Sequence, residues 1–351
     1  MTRSKCAPVV FLMLVGVIIT GSGSAFSAQE TGNGSSYLLR WGPQEGGQHV
    51  YVVSVSGTKG ESVAVSTEDF TIRVVEVVDG VTHFVAAGEP VPEGARLGYR
   101  FQRALFPSFP YTVDPLGRFE VRRGQPFPVV LNMPLFPEEE VAIDSEWSGG
   151  PVDILPDANV GAIPFVYTST LASVADFRGE QAAVIETEYT VCLPEDAKSV
   201  APFLGLVEGD PPETAGQGAP IGGVVEGSRA HEAGIQPGDF IIAAEGQRIR
   251  GWGGLEEILP FLVPEVPVEF RVLRGEEELE VEIAPEGIPV AALSATGGLH
   301  STCFFSIQRR IPLKVDVSSR GLVFIVTDAE GESEERAADL HVVLEYQYSR
   351  D

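Results

Sequence analysis

The sequence predicts a mainly β fold: an antiparallel sheet or half-barrel as host, interrupted by a compact insert forming a small β-barrel with two short helices. Three observations carry this. Residues 37–199 and 286–351 are dominated by strand patterns and turn signals. Clear helix signals are confined to 200–285. The Pro- and Phe-rich stretch Phe101 to Pro137 has many X-Pro bonds and reads as loops and edge strands, since proline cannot donate to a ladder.

The chain opens on the pattern of a secretory leader, assigned to residues 1–28. Arg3 and Lys5 supply the positive region, and the apolar run from Ala7 to Ile19 is too short for a convincing membrane helix. Ala25, Ser27 and Ala28 each offer a small residue for cleavage, and a retained anchor is the other reading. The expected location is periplasmic or secreted, with no stable membrane insertion once the leader is removed. Residues 29–36 (QETGNGSS) form a polar linker.

Charge narrows the partners. The chain has 24 basic and 50 acidic residues, a formal net charge of −26. The leader holds two of the cations and no acid, so its removal leaves a still more acidic protein. Such a surface repels phosphate backbones, and nucleic acid is not expected as a partner. With Cys6 in the leader, Cys192 and Cys303 remain. Two cysteines cannot make a disulfide scaffold. If the insert interrupts a hairpin, a disulfide between them would staple its neck, whereas their strand-face neighbours, Glu186 and Glu188 against Leu299 and Phe305, place them on opposite faces and argue against pairing.

In the host, His49 to Val55 alternates as a strand. Phe70 to Val78, Asp79-Gly80 and Val81 to Ala87 read as a hairpin. Phe165 to Val174, a turn at Asp176–Gly179 and Ala182 to Val191 form a second unit of similar length, a hint of duplication. Trp147 is expected to anchor that unit in the core. After the insert, Leu299 to Tyr348 returns to strands.

Within the insert, Ser228 caps a short helix and Gly234 ends it. Pro237-Gly238 turns the chain and Asp239 accepts backbone amides there. Phe240 to Ala244 is a buried strand, Glu245-Gly246 a hairpin, and Ile249 lies in the next strand. Val266 to Val272 and Leu279 to Ile283, joined at Gly275, complete the barrel. Leu255, Ile258, Leu259 and Leu262 have helical spacing.

Taken together, Gly227-Ser-x-Ala-x-x-Ala-Gly-Ile-x-Pro-Gly-Asp-x-Ile241 resembles the signature of bacterial PDZ domains, found in HtrA-type and C-terminal processing proteases and in secretion scaffolds. The resemblance covers residues 200–285. It implies that an extended peptide is bound as an added strand, usually by its C-terminus. The carboxylate would enter a nest of backbone amides in an aromatic-Φ-Gly-Φ loop, matched by Phe203, Leu204, Gly205 and Leu206. Val207 and Glu208 would continue the pairing strand, and Leu255, Ile258, Leu259 and Leu262 would form the opposite wall. Glu208, Asp210 and Glu213 would disfavour acidic ligands. Pro211-Pro212 shortens the strand, and Pro260 falls inside the expected wall helix. Each strand bond adds about 0.5–1.5 kcal/mol net, whereas micromolar affinity needs about 8 kcal/mol. The nest and an apolar pocket must therefore supply most of the affinity. The other reading is a module that only packs on its host.

No catalytic pattern emerges. A Gly-Asn-Ser-Gly-type nucleophile loop and Asp-Thr/Ser-Gly are absent outside the insert. His49, His83, His231, His300 and His341 read as packing or surface residues. No Cys-x-x-Cys or His-Glu-x-x-His occurs, and Asp157-x-Asn159-x-Gly161 lacks the downstream glutamate of a calcium loop, so no metal or cofactor is expected. More faintly, Pro137 to Trp147 (PEEEVAIDSEW), the Asp114-Pro-Leu-Gly-Arg118 turn and the Phe304-Phe305 strand resemble uncharacterised exported β-rich proteins, which imply a curved sheet and no transferable chemistry. The leading expectation is an exported, non-enzymatic adaptor that binds a peptide or C-terminus of another exported protein. Alternatives are an accessory of an envelope protease system, an enzyme whose centre is invisible to motifs, and a carrier if the sheet encloses an apolar cavity.

Overall fold

The computed structural model describes residues 35–59, 62–88, 97, 109–121, 135–157, 161–210, 218–328 and 331–350. The leader, most of the linker, Asn159, Pro211 to Glu213 and much of Phe101 to Pro137 lie outside these. The fold is mostly β, with antiparallel sheets and no closed barrel. Among the described residues no helix is long and apolar enough to cross a membrane.

One large sheet forms the host. Its neighbours run Phe119–Val121, Phe109–Val113, Val81–Gly88, Ser62–Val78, Gln48–Lys59, Leu340–Arg350, Pro312–Thr327, Glu286–Ser306, Glu180–Val191, Gly161–Phe177 and Glu146–Asp157. The two expected hairpins are present. Both turn residues of each have positive φ, Asp79 and Gly80 in the first and Arg178 and Gly179 in the second, as the twist of paired strands favours. They sit at opposite ends of the sheet, joined through strands C-terminal to the insert. Gln48–Lys59 pairs with Leu340–Arg350, and Glu180–Val191 pairs with Glu286–Ser306. The C-terminal segment thus sutures two meanders that are far apart in sequence.

The sheet is strongly curved. Strands Val81–Gly88 and Glu286–Ser306 stand five places apart, about 24 Å in a flat sheet. Yet the Trp41 ring lies 5.7 Å from Phe84 on the first and 6.3 Å from Phe305 on the second. Only a curled sheet brings both to one indole. Trp41, Phe84, Phe136, Phe165 and Phe305 share one buried core on the concave face, and Phe136 meets Phe305 edge-on at 4.7 Å. Trp147 is half-buried against this core and donates its indole N–H to the Leu135 carbonyl at 2.6 Å.

The cysteines do not pair. Cys303 is buried opposite Ile185, while Cys192 follows the far end of the same partner strand. Burial pushes the Cys303 thiol well above its ordinary pKa.

His49 is buried, and neither ring nitrogen has a hydrogen-bond partner. Desolvation, then the charge of Arg309, lowers its pKa. The folded state therefore favours the neutral ring more than the unfolded chain does. The sign follows: stability is complete above the unfolded value near 6.5 and falls as pH drops below it, where the unfolded chain takes up the proton. We expect His49→Phe to flatten this dependence and to raise stability at pH 5 by about 1–2 kcal/mol. Urea midpoints at pH 5 and pH 8 measure both effects.

The insert has its own core. Its strands run in the order Leu206–Glu208, Ala219–Val224, Phe240–Ala244, Val268–Arg274 and Glu277–Ile283, with Gln247–Arg248 paired to Phe240–Ala244. Two short helices complete it, α1 (Arg229–Glu232) and α2 (Trp252–Ile258). Ile241, Leu255, Ile258, Phe270 and Val272 are among its buried residues. Ile249 lies just past the strand in which it is expected and is buried.

The boundary with the host differs from expectation. Residues 200–203 belong to strand Lys198–Phe203, which pairs with the start of Glu286–Ser306 and ends with Phe203 opposite Glu286. This two-stranded neck brings the insert's ends together, which is what an insertion into a folded domain requires. Packing crosses the boundary both ways. Val266 lies in the host core, and Leu97 packs on the insert's core beside Gly254 of α2.

Candidate functional site

The site predicted from sequence lies where the neck gives way to the insert. Phe203 closes the host strand and is half-buried, so it does not belong to the loop as expected. Its cross-strand partner Glu286 was not readable locally. The turn consists of Leu204 and Gly205.

Leu204 is buried in the insert's core, and its carbonyl accepts from the Ala230 amide of α1 at 3.1 Å. Gly205 has a φ of +83°, and its carbonyl accepts from the Val225 amide at 2.8 Å. A Cβ added at Gly205 would lie 2.2 Å from both Cβ and Oγ of Ser228. No other residue fits there without displacing the helix cap. Both carbonyls of the turn are thus engaged. Among the described residues, no acceptor receives the amides of Leu204 or Gly205. Two adjacent amides without an acceptor among the described residues, in a turn whose two residues are both buried, are the feature an anion nest requires.

The chain continues into the edge strand Leu206–Glu208. Among the described residues it pairs on one side only, with Ala219–Val224, at Leu206↔Val224 and Val207↔Gly223. Leu206 is half-buried against the core, and Val207 is 50% exposed. The Gly209 amide donates to the Pro220 carbonyl at 3.0 Å, so the strand stays attached one residue further. Beside the turn, Val225 is 44% exposed.

The wall residues need correction. Leu255 and Ile258 are wholly buried and Leu262 is 4% exposed, all facing the insert's core. Their helical spacing marks a core-facing stripe, and only Leu259 remains half-buried. Pro260 does not interrupt a helix. The α-helix ends at Ile258, and Leu259–Phe261 continue as a single 3-10 turn with the proline in its first positions, where no amide donor is needed.

Ser228 caps α1 as expected, accepting from the His231 amide at 3.3 Å. Its packing beneath Gly205 was not foreseen, so one serine both caps the helix and supports the loop. Asp239 accepts the Gln236 amide at 2.8 Å, as the turn pattern implies. It is also clamped by Arg274 at 2.8 and 2.7 Å. Burial alone would raise its carboxyl, but the Arg274 hydrogen bonds, the Gln236 amide and the Arg274 charge outweigh it and lower the pKa. An arginine from another strand carries no local signal in the sequence.

The remaining histidines lie away from this turn, except His231 on α1. His83 faces Glu76 at 3.9 Å, His300 bonds Glu188 at 2.8 Å, and His341 bonds Asp316 at 2.8 Å. Among the described residues, no group of three or more His, Cys, Asp or Glu could hold a metal ion.

Among the described residues, fold and site define a mainly β chain with two buried cores and an edge strand that follows two amides without an acceptor. No protein-family model matches the sequence, and no curated protein is similar to it by sequence. Solved structures that are faintly similar in shape include two peptide complexes. One is a serine-to-alanine variant of the HtrA-type protease AlgW with a decapeptide, at TM-score 0.24 and 9% identity over 70% of this chain and 95% of that chain. The other is AlgW with a decapeptide, at TM-score 0.23 and 10% identity over 70% and 96%. Likeness at this level assigns no function.

Proposed function

We propose that this protein is an exported, non-enzymatic adaptor whose PDZ-like insert binds the C-terminus of another exported protein by strand addition. One observation carries the reading: an edge strand, Leu206–Glu208, opens on the unengaged Leu204 and Gly205 amides. An extended peptide pairing antiparallel with that strand would bring its carboxylate to those amides. The nearby apolar surface of Val207 and Val225 suits an apolar last residue. The leader-like start of the sequence supports export.

The test is titration of the full chain with fluorescent peptides ending in an apolar residue, each with a free or an amidated terminus. Free termini bind at micromolar Kd, and amidation weakens binding at least about tenfold, because it removes charge-assisted bonds to backbone amides. Gly205→Ala abolishes binding, with circular dichroism reporting whether it folds. Equal binding of free and amidated peptides rejects the nest, a result that needs no variant.

A further inference from the structure

The turn and edge strand also bear on which tail is bound. We infer that the ligand is the tail of a separate exported protein, ending in an apolar residue and carrying lysine or arginine about three to five residues before its end. This rests on the peptide reading above and specifies its partner.

A peptide anchored by its carboxylate at Leu204 and Gly205 runs antiparallel to Leu206–Gly209. At about 3.4 Å per residue, its last residue lies near Gly205 and its upstream residues pass Glu208 and Asp210. Both are exposed acids. Among the described residues, neither has a cation within ion-pair distance. No basic residue occurs from 204 to 210. Three of the insert's arginines are committed elsewhere: Arg229 to Glu232 and Glu265, Arg271 to Glu278, and Arg274 to Asp239.

The path therefore changes character along its length. It is apolar and amide-lined where the ligand ends, and acidic where the ligand's preceding residues lie. A basic upstream segment is attracted by both acids, and an acidic one meets two uncompensated like charges. The chain's overall negative charge acts in the same direction at longer range.

The experiment uses the full chain and three fluorescent decapeptides with the same Val terminus. At the fourth and fifth positions from the end they carry a Lys pair, a Gln pair or a Glu pair, and each is made free and amidated. The expected order is Lys, then Gln, then Glu, with about a tenfold Kd span between the extremes at low salt that narrows at 0.5 M salt. Glu208→Gln with Asp210→Asn removes the ranking, so that the Lys, Gln and Glu peptides bind alike. These positions are exposed, so the variant folds. Free-terminus peptides that bind without ranking overturn the charge inference and leave the peptide reading intact. If no free-terminus peptide binds, both readings fall.

Discussion

Gly298→Ala is expected to unfold the host sheet, although it adds a single methyl group. Gly298 sits opposite Thr190, in the strand that sutures the second meander to the C-terminal segment. Its added Cβ would lie 1.9 Å from the carbonyl oxygen of Tyr189. That atom is backbone within a paired strand and cannot rotate away. The ladder itself must separate, next to the buried Leu299 and Tyr189. The expected loss exceeds about 4 kcal/mol, a size reserved for a few named mechanisms, of which backbone collision is one. Gly321 lies in the facing strand, next to Arg320 opposite Gly298, where the ladder register shifts, at a φ of +58° with nothing within 4 Å of its added Cβ. Gly321→Ala meets only left-handed strain and costs about 1–2 kcal/mol. Trp41 and Trp147 report on the host and Trp252 on the insert, so urea unfolding in a Trp252→Phe background reads the host alone. Equal losses for the two variants would show that the ladder tolerates separation at Tyr189.

Asp239→Ala should destabilise the insert by about 3 kcal/mol. The carboxylate is 1% exposed and accepts from the Gln236 amide and two Arg274 nitrogens. Its loss leaves the Gln236 amide without that acceptor and frees the strap that Arg274 makes to the Gly234 carbonyl at 2.7 Å. Asp239→Asn keeps an acceptor without the charge and falls between the two. The pH dependence has a definite sign. A carboxyl lowered in the folded state contributes stability above its unfolded value of 3.8, and loses it as pH falls through the lower folded value. Hydrogen exchange of the insert's strand amides, measured at pH 7 for the three proteins, gives the ranking. Unchanged protection in Asp239→Ala would show that the turn holds without its carboxylate.

Much of the fold was legible because it is local. Asp79-Gly80 announces its own hairpin, since short-range backbone preferences suffice to turn the chain. Ser228, Gly234 and Pro237-Gly238 mark a helix and turn that form where the pattern puts them. Gly205 was legible as a candidate nest because its neighbours match a loop whose backbone conformation needs a residue without a side chain.

What was not legible depends on partners distant in sequence. Helical spacing at Leu255 and Ile258 reveals an apolar stripe but not whether it lines a groove or a core, and the insert's sheet resolved that in favour of the core. Phe203 reads as part of the loop until Glu286 claims it for the host sheet. Arg274 meets Asp239 only because two strands are brought side by side. The curl that lets Trp41 reach both Phe84 and Phe305 arises from the whole sheet. The strands, their turns and the insert's signature follow from preferences that act over a few residues, and the acidic charge follows from composition. Tertiary structure alone decided which apolar faces are buried and where the insert begins. It also decided which amides lack an acceptor among the described residues, because each depends on long-range pairing that no local pattern encodes.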